Sequence, residues 1–214
     1  MKSFGNVVIF GDSYSTFSGY VPDGYICYYG SELCKTDVTI VEETWWHQLI
    51  EETNANLLLN DSWSGSTIGY SGYNNMDNSK TCSFIYRLEN LIQAGFFEKN
   101  KIDTVFVFGG TNDSWANAPI GNFKYSDFKK EDLYYVLPAI CYFAHRLKEI
   151  TPKVNIVFII NADIKPEISD GIESVCAYYN LKSIRLERID KILGHPTIKG
   201  MEQIKIQILN SIEK

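Results

Sequence analysis

No apolar run in the sequence approaches the ~20 residues a helix needs to cross a bilayer, so the chain offers no candidate transmembrane helix. Nor is there a long basic run. The net charge of -6 argues against nucleic acid or an anionic membrane as the main partner. Residues 1–6 lack the positive-then-apolar layout of a signal peptide, and residues 7–10 are too short to supply its apolar stretch. The chain as given therefore reads as cytoplasmic; with a leader removed it would be secreted or periplasmic. The five cysteines, Cys27, Cys34, Cys82, Cys141 and Cys176, are odd in number and scattered, and they include no CxxC pair, which speaks against a zinc ribbon. They read mostly as buried thiols of a reducing compartment, with a Cys27–Cys34 disulfide as the lesser alternative. Proline- or glycine-rich linkers and internal repeats are also missing, so the 214 residues read as one domain. Neither GxGxxG nor GxxxxGKS/T follows the first strand-like run, so the phosphate cradling of a flavodoxin or nucleotide-binding domain has no motif here.

What is present suffices for one sizeable core: 45% of residues are hydrophobic and 21% charged. Apolar runs alternate with helix-like segments. The spacing predicts strands over 6–10, 56–60, 103–110, 154–160 and 182–187. It predicts helices over 44–53 with Thr44 as cap, 83–95 ending at Gly95, 126–150 with a break near Pro138, 165–180, and 196–212 with Pro196 at its first position. Strand runs without polar alternation suit parallel strands buried on both faces. Regular alternation of strand and helix implies right-handed crossovers and an α/β fold, a three-layer α/β/α sandwich. The longest irregular stretches, 14–43 and 61–80, and a shorter one, 111–125, all follow strands. They gather at the carboxyl edge of the sheet, where open α/β sheets bind ligands.

The strand ends carry chemistry. The first runs into Gly11-Asp12-Ser13, the second into NDSWSGSTIG (60–69), the third into GGTND (109–113). Near the chain end, IDKILGHPTIKGM (189–201) places His195 at a loop-to-helix junction. A serine is a weak nucleophile until a base takes its proton, and histidine titrates near neutrality. Attack on an ester puts charge on oxygen, which preorganised donors stabilise. The N–H groups of Ser13 and Gly65 and the amide of Asn112 could form that oxyanion hole. Each has a plainer reading: a helix cap for Ser13, a turn glycine for Gly65 with Gly69 and Gly72 as competitors, a turn residue for Asn112. The three blocks and the histidine together favour the catalytic one.

Those four blocks, Gly11-Asp12-Ser13, Gly65 within 60–69, Gly110-Thr111-Asn112-Asp113 and His195-Pro196, resemble in order and spacing those of the SGNH hydrolases, a branch of the GDSL esterases and lipases. The resemblance covers nearly the whole chain. It implies a flavodoxin-like sheet of about five parallel strands, and ester hydrolysis through an acyl-serine without metal or cofactor. One position departs. The family usually carries an aspartate three residues before the histidine, and here that position is Ile192. The nearest upstream acid is Asp190, a candidate orienter of His195. The alternative is a backbone carbonyl in its place, as in some carbohydrate esterases resembling this family.

The other site-edge residues divide. Asp12 reads as a turn or helix cap and Asp113 as a loop holder. His47 and His145 read as packing or surface residues, and the KKED stretch (129–132) as a solvated helix start. Trp63, Tyr70, Tyr73 and Trp115 either stack on sugar faces, wall an acyl pocket or pack the loops. Tyr14, Phe17 and YICYYG (25–30) are candidates for a lid. The first functional expectation is a serine esterase for small acyl esters, an O-acetyl group on a carbohydrate above all, with a small-molecule or glycan ester as partner. The runner-up is a lipase-like or thioester hydrolase taking longer acyl chains. A reading of another class is a carbohydrate-binding protein on an esterase fold that no longer turns over.

Overall fold

A computed structural model describes residues 3–212. Five parallel strands, β1 (Asn6–Gly11), β2 (Asn56–Ser62), β3 (Thr104–Phe108), β4 (Asn155–Ile160) and β5 (Lys182–Arg185), form one sheet in the order β2-β1-β3-β4-β5. Successive residues of β1 point to opposite faces. Val8 and Phe10 join one apolar cluster with Phe84, Ile140 and Phe143; Val7 and Ile9 join another with Trp45, Trp46 and Ile204. Both faces are therefore buried, which is why the strand runs read as continuously apolar. α2 (Phe84–Gln93), α5 (Val136–Ile150) and α6 (Pro166–Tyr179) cover the first face; α1 (Trp45–Thr53) and α7 (Ile198–Ile212) cover the second. This is the expected three-layer sandwich, in the flavodoxin-like strand order.

Local signals held in part. Thr44 caps α1 by accepting from the His47 N–H at 3.4 Å. The 83–95 helix stops at Ala94, followed by Gly95 at φ +68, and a further turn, α3 (Phe96–Lys99), comes after it. Two helix readings need correction. The 126–150 segment is no continuous helix: a 3-10 turn spans Lys130–Tyr134, Tyr135 is extended, and α5 starts at Val136. Pro138 sits in its first turn, where a missing N–H breaks no helical bond. The last helix starts at Ile198, not at Pro196. Thr197 caps it, its hydroxyl accepting from the Gly200 N–H at 3.1 Å. Pro196 instead lies in β7 (His195–Pro196), paired antiparallel with β6 (Lys191–Ile192). Of the cysteines, only Cys141 and Cys176 are buried; all five are free, and Cys27 and Cys34 do not pair.

In this strand order the chain leaves the sheet in opposite directions from β1 and β3, and the crevice between their carboxyl ends is where ligands bind. Ser13 follows β1 there. Asn112 follows β3 on a five-residue helix that the sequence did not announce, α4 (Thr111–Trp115).

Candidate active site

Ser13 and His195, 182 positions apart, meet at this edge: Ser13 Oγ is 3.0 Å from His195 Nε2. The other ring nitrogen, Nδ1, lies 3.3 Å from the Leu193 carbonyl oxygen. A carbonyl can only accept, so Nδ1 carries the proton and Nε2 of the neutral ring faces the serine as a lone pair. Burial is the main reason the imidazole is held below its ordinary 6.5.

Asp190 is not at the ring. Its carboxylate accepts from the Thr197 hydroxyl at 2.5 Å, and its backbone carbonyl accepts from the Thr197 N–H. It closes the base of the β6–β7 hairpin. In the hairpin with the two-residue loop Leu193-Gly194, Ile192 pairs with His195 and Asp190 comes opposite Thr197, which takes up its carboxylate. The loop has φ +47 and +82, the signature of a type I′ turn. That turn aims the Leu193 carbonyl at Nδ1.

The Gly65 loop is a tight turn in which the Ser66 N–H reaches the Trp63 carbonyl at 3.2 Å. Gly65 takes φ +80 there, a conformation costly for any residue with a Cβ. Among the described residues, the N–H groups of Ser13 and Gly65 donate to no protein acceptor. Asn112 is locked by two bonds. Its Nδ2 donates to Ser66 O at 3.0 Å, and its Oδ1 accepts from the Tyr73 hydroxyl at 2.7 Å. One amide N–H is left over. Asp113 holds the loops, as expected of it, by accepting from the N–H groups of Ile68 and Gly69. Asp12 accepts from the Tyr14 N–H at 3.0 Å, while its Oδ2 is buried without a partner. Burial raises Asp12 to about 7 and Asp113 to about 6.

Of the loop aromatics, Tyr73 touches Asn112, and Trp115 meets the His195 ring edge-on at 6.0 Å with 40% of its surface exposed. Trp63 lies against Tyr25, ring centroids 4.2 Å apart. Tyr70 packs on the core instead. Of the lid candidates, Tyr14, Phe17, Tyr28 and Tyr29 are buried, whereas Tyr25 is partly exposed and Ile26 is exposed. Tyr28 stacks flat on the His195 ring, and Tyr29 donates to the Pro196 carbonyl at 2.8 Å. Tyr14, Tyr28 and Tyr29 thus stand against the His195 side of the site. His47 and His145 lie among aromatic neighbours away from Ser13.

Sequence reasoning missed Arg87. Buried on α2, it pairs with Asp61 at 2.8 Å and donates to the carbonyls of Gly11, Cys82 and Asp61 and to Ser66 Oγ, so it ties the first two strand ends together. A signal existed: Arg87 falls three residues after Phe84 on the apolar face of its helix. Asn161 was missed too, although it ends the fourth strand and so belongs to the same edge. Among the described residues, no three His, Cys, Asp or Glu side chains gather as a metal site. A cavity of about 650 Å³ lined by Ser3, Phe4, Gly5, Asp103 and Asn155 opens at the opposite, amino edge of the sheet, away from Ser13 and His195.

The sequence profile of the GDSL-like lipase/acylhydrolase family matches residues 5–212. No curated protein matches the chain. Among solved structures, it is similar to a protein from Bacteroides uniformis assigned as a GDSL-like lipase, at 43% identity and TM-score 0.91, over 98% of this chain and 95% of that one. A second such protein, from Bacteroides ovatus, matches at 43% identity and TM-score 0.91 over 99% of both chains. An acetyl xylan esterase from the rumen bacterium Butyrivibrio proteoclasticus shares the fold at 15% identity and TM-score 0.61, over 100% of this chain and 64% of that one.

Proposed function

The chain belongs to the GDSL-like lipase/acylhydrolase family, and from that premise we propose that it is a serine esterase that removes a small acyl group, acetyl above all, from a carbohydrate. The observation that carries the proposal is the 3.0 Å contact of Ser13 Oγ with His195 Nε2, with Nδ1 engaged by a main-chain carbonyl. Nε2 takes the hydroxyl proton as Ser13 Oγ bonds to the ester carbonyl carbon. The negative charge that develops on the carbonyl oxygen accepts from the Ser13 and Gly65 N–H groups and the free N–H of Asn112. The tetrahedral intermediate collapses, the proton passes from Nε2 to the leaving alkoxide, and the acyl group remains on Ser13. Water, deprotonated by His195, attacks this ester, and the acid leaves as the proton passes from Nε2 back to Ser13 Oγ.

Ser13 is only 3% exposed, and at the neighbouring strand end Tyr73 holds Asn112, which favours a short acyl group. The Trp63–Tyr25 pair and the half-exposed Trp115 offer flat apolar faces of the kind that sugar rings pack on. A second reading has its own observation: Ile26, Met76 and Leu193, all exposed, stand on the loops around the site and would suit a longer acyl chain.

The test is hydrolysis of p-nitrophenyl esters from acetate to octanoate by wild type and Ser13→Ala. Acetate should be preferred, and Ser13→Ala should lose activity by at least ~10³-fold. A preference for octanoate would favour the longer-chain reading. Equal background rates in both proteins, with glycan binding retained, would favour the non-catalytic one.

A further inference from the structure

A chain of hydrogen bonds runs from Lys191 to the peptide that precedes His195. The Tyr14 hydroxyl donates to the Gly194 carbonyl at 2.5 Å and accepts from Asn161 Nδ2 at 3.3 Å. Asn161 Oδ1 accepts from Lys191 Nζ at 2.8 Å. Lys191 Nζ also pairs with Asp163 at 2.8 Å and lies 5.4 Å from the centre of the Tyr14 ring. Tyr14 and Asn161 are buried, and the Lys191 side chain is nearly so at 11%. Every donor in the chain meets an acceptor, which fixes the direction of each bond. The backbone of Lys191 pairs with Pro196 across the β6–β7 hairpin. Its side chain thus anchors to the end of β4 the same hairpin that carries His195.

We propose that Tyr14, Asn161 and Lys191 are positioning residues for His195, clamping the Leu193-Gly194 turn so that the Leu193 carbonyl stays on Nδ1. The proposal rests on the reading of Ser13 and His195 as a catalytic dyad. A carboxylate orients a histidine by charge and by its own rotamer. A main-chain carbonyl orients one only if its peptide is held, and Leu193, at positive φ and 79% exposed, has nothing of its own to hold it. The clamp also inverts the electrostatics of an orienting acid. Where a carboxylate stabilises imidazolium, Lys191 disfavours it, adding to the larger effect of burial. The other titratable groups around the ring are Tyr14, Tyr28 and Tyr29, all pushed up by burial, the buried carboxyl of Asp12 beside Tyr14, and Asp163 on the far side of Lys191.

The experiment is an NMR titration of the His195 ring, assigned with His195→Gln, in wild type, Tyr14→Phe, Lys191→Met and Lys191→Arg. It is paired with kcat and KM on p-nitrophenyl acetate, labelling of Ser13 by a fluorophosphonate, and thermal melts. Misplacing the base should lower kcat in Tyr14→Phe by roughly 10- to 100-fold with KM much less affected. Lys191→Met should also lose kcat, and its His195 should titrate at higher pH. Lys191→Arg, which keeps the charge, should restore both. Wild-type kcat and wild-type His195 titration in Tyr14→Phe and Lys191→Met would overturn the proposal. If Tyr14→Phe does not fold, the contrast between Lys191→Met and Lys191→Arg decides. If wild type neither cleaves the ester nor is labelled, the esterase reading fails by itself, and the titration of His195 still decides whether the clamp exists.

Discussion

The imidazole of His195 lies flat on the ring of Tyr28, with centroids 3.6 Å apart and planes within 9°. Tyr28 is buried, and its hydroxyl accepts from the Lys35 N–H at 3.1 Å, so the ring is fixed from behind. It fixes the rotation of the imidazole and keeps water from one of its faces. Tyr28→Leu should therefore lower kcat by on the order of 10-fold. Because the base works as neutral imidazole and burial is what lowers its titration, the acid limb of kcat/KM should also move up toward 6.5. Tyr28→Phe keeps the stack and should stay near wild type. An unchanged pH profile in Tyr28→Leu would rule out this role.

Asp190 contacts Thr197 rather than the imidazole. Asp190→Asn should leave kcat/KM within about 10-fold of wild type, whereas loss of a true orienting acid can cost roughly 10⁴-fold. Exchanging the charged acceptor of the Thr197 hydroxyl for a weaker amide oxygen should appear in urea melts as a destabilisation of about 1 kcal/mol. A collapse of activity without a change in stability would return Asp190 to the catalytic set.

Leu193 occupies the left-handed region at φ +47 in a turn whose preferred sequence is Asn-Gly. Leu193→Asn should stabilise the protein by about 1 kcal/mol, since the strained residue is exposed and buries nothing to offset the strain. The carbonyl that meets His195 Nδ1 stays in place, so activity on p-nitrophenyl acetate should be retained. A destabilised variant would mean that the Leu193 side chain holds the turn.

Arg87 and Asp61 are each 1% exposed and partner one another. Arg87→Met leaves a buried carboxylate uncompensated and should cost about 3–5 kcal/mol in denaturant unfolding. Arg87→Met combined with Asp61→Leu should recover part of that loss. Activity should fall in both, because the Gly11 carbonyl and Ser66 lose their common donor.

Asp12, with one unpartnered oxygen, is pushed by burial from 3.8 up to about 7, and Asp113 up to about 6. Between the ordinary and the raised values, the folded protein holds protons that the unfolded chain has released, so these groups make stability fall as pH rises from about 4 to 7. Asp12→Asn removes its share of that fall. It should gain on the order of 2–4 kcal/mol on wild type at pH 8 relative to pH 4 in urea melts. A constant difference between the two proteins across that range would show that Asp12 is ionised throughout.

The sequence by itself determined the sheet and which polar residues gather at its ends. Runs such as Asn6–Gly11 and Asn155–Ile160 are apolar because both of their faces are buried, and that pattern is local. Ser13, Gly65 and Asn112 were legible because each follows a strand directly, and parallel strands deliver their ends to one edge. Tertiary structure alone decided what orients His195. Asp190 and Leu193 are both near it in sequence, and the hairpin folded at the Leu193-Gly194 turn sets the carboxylate of Asp190 on Thr197 and the Leu193 carbonyl at Nδ1. The partners that hold this turn, Tyr14 and Asn161, come from the ends of β1 and β4, 180 and 33 residues before Gly194. Spacing along the chain records only what backbone periodicity imposes; which buried side chains meet is set by how the layers pack.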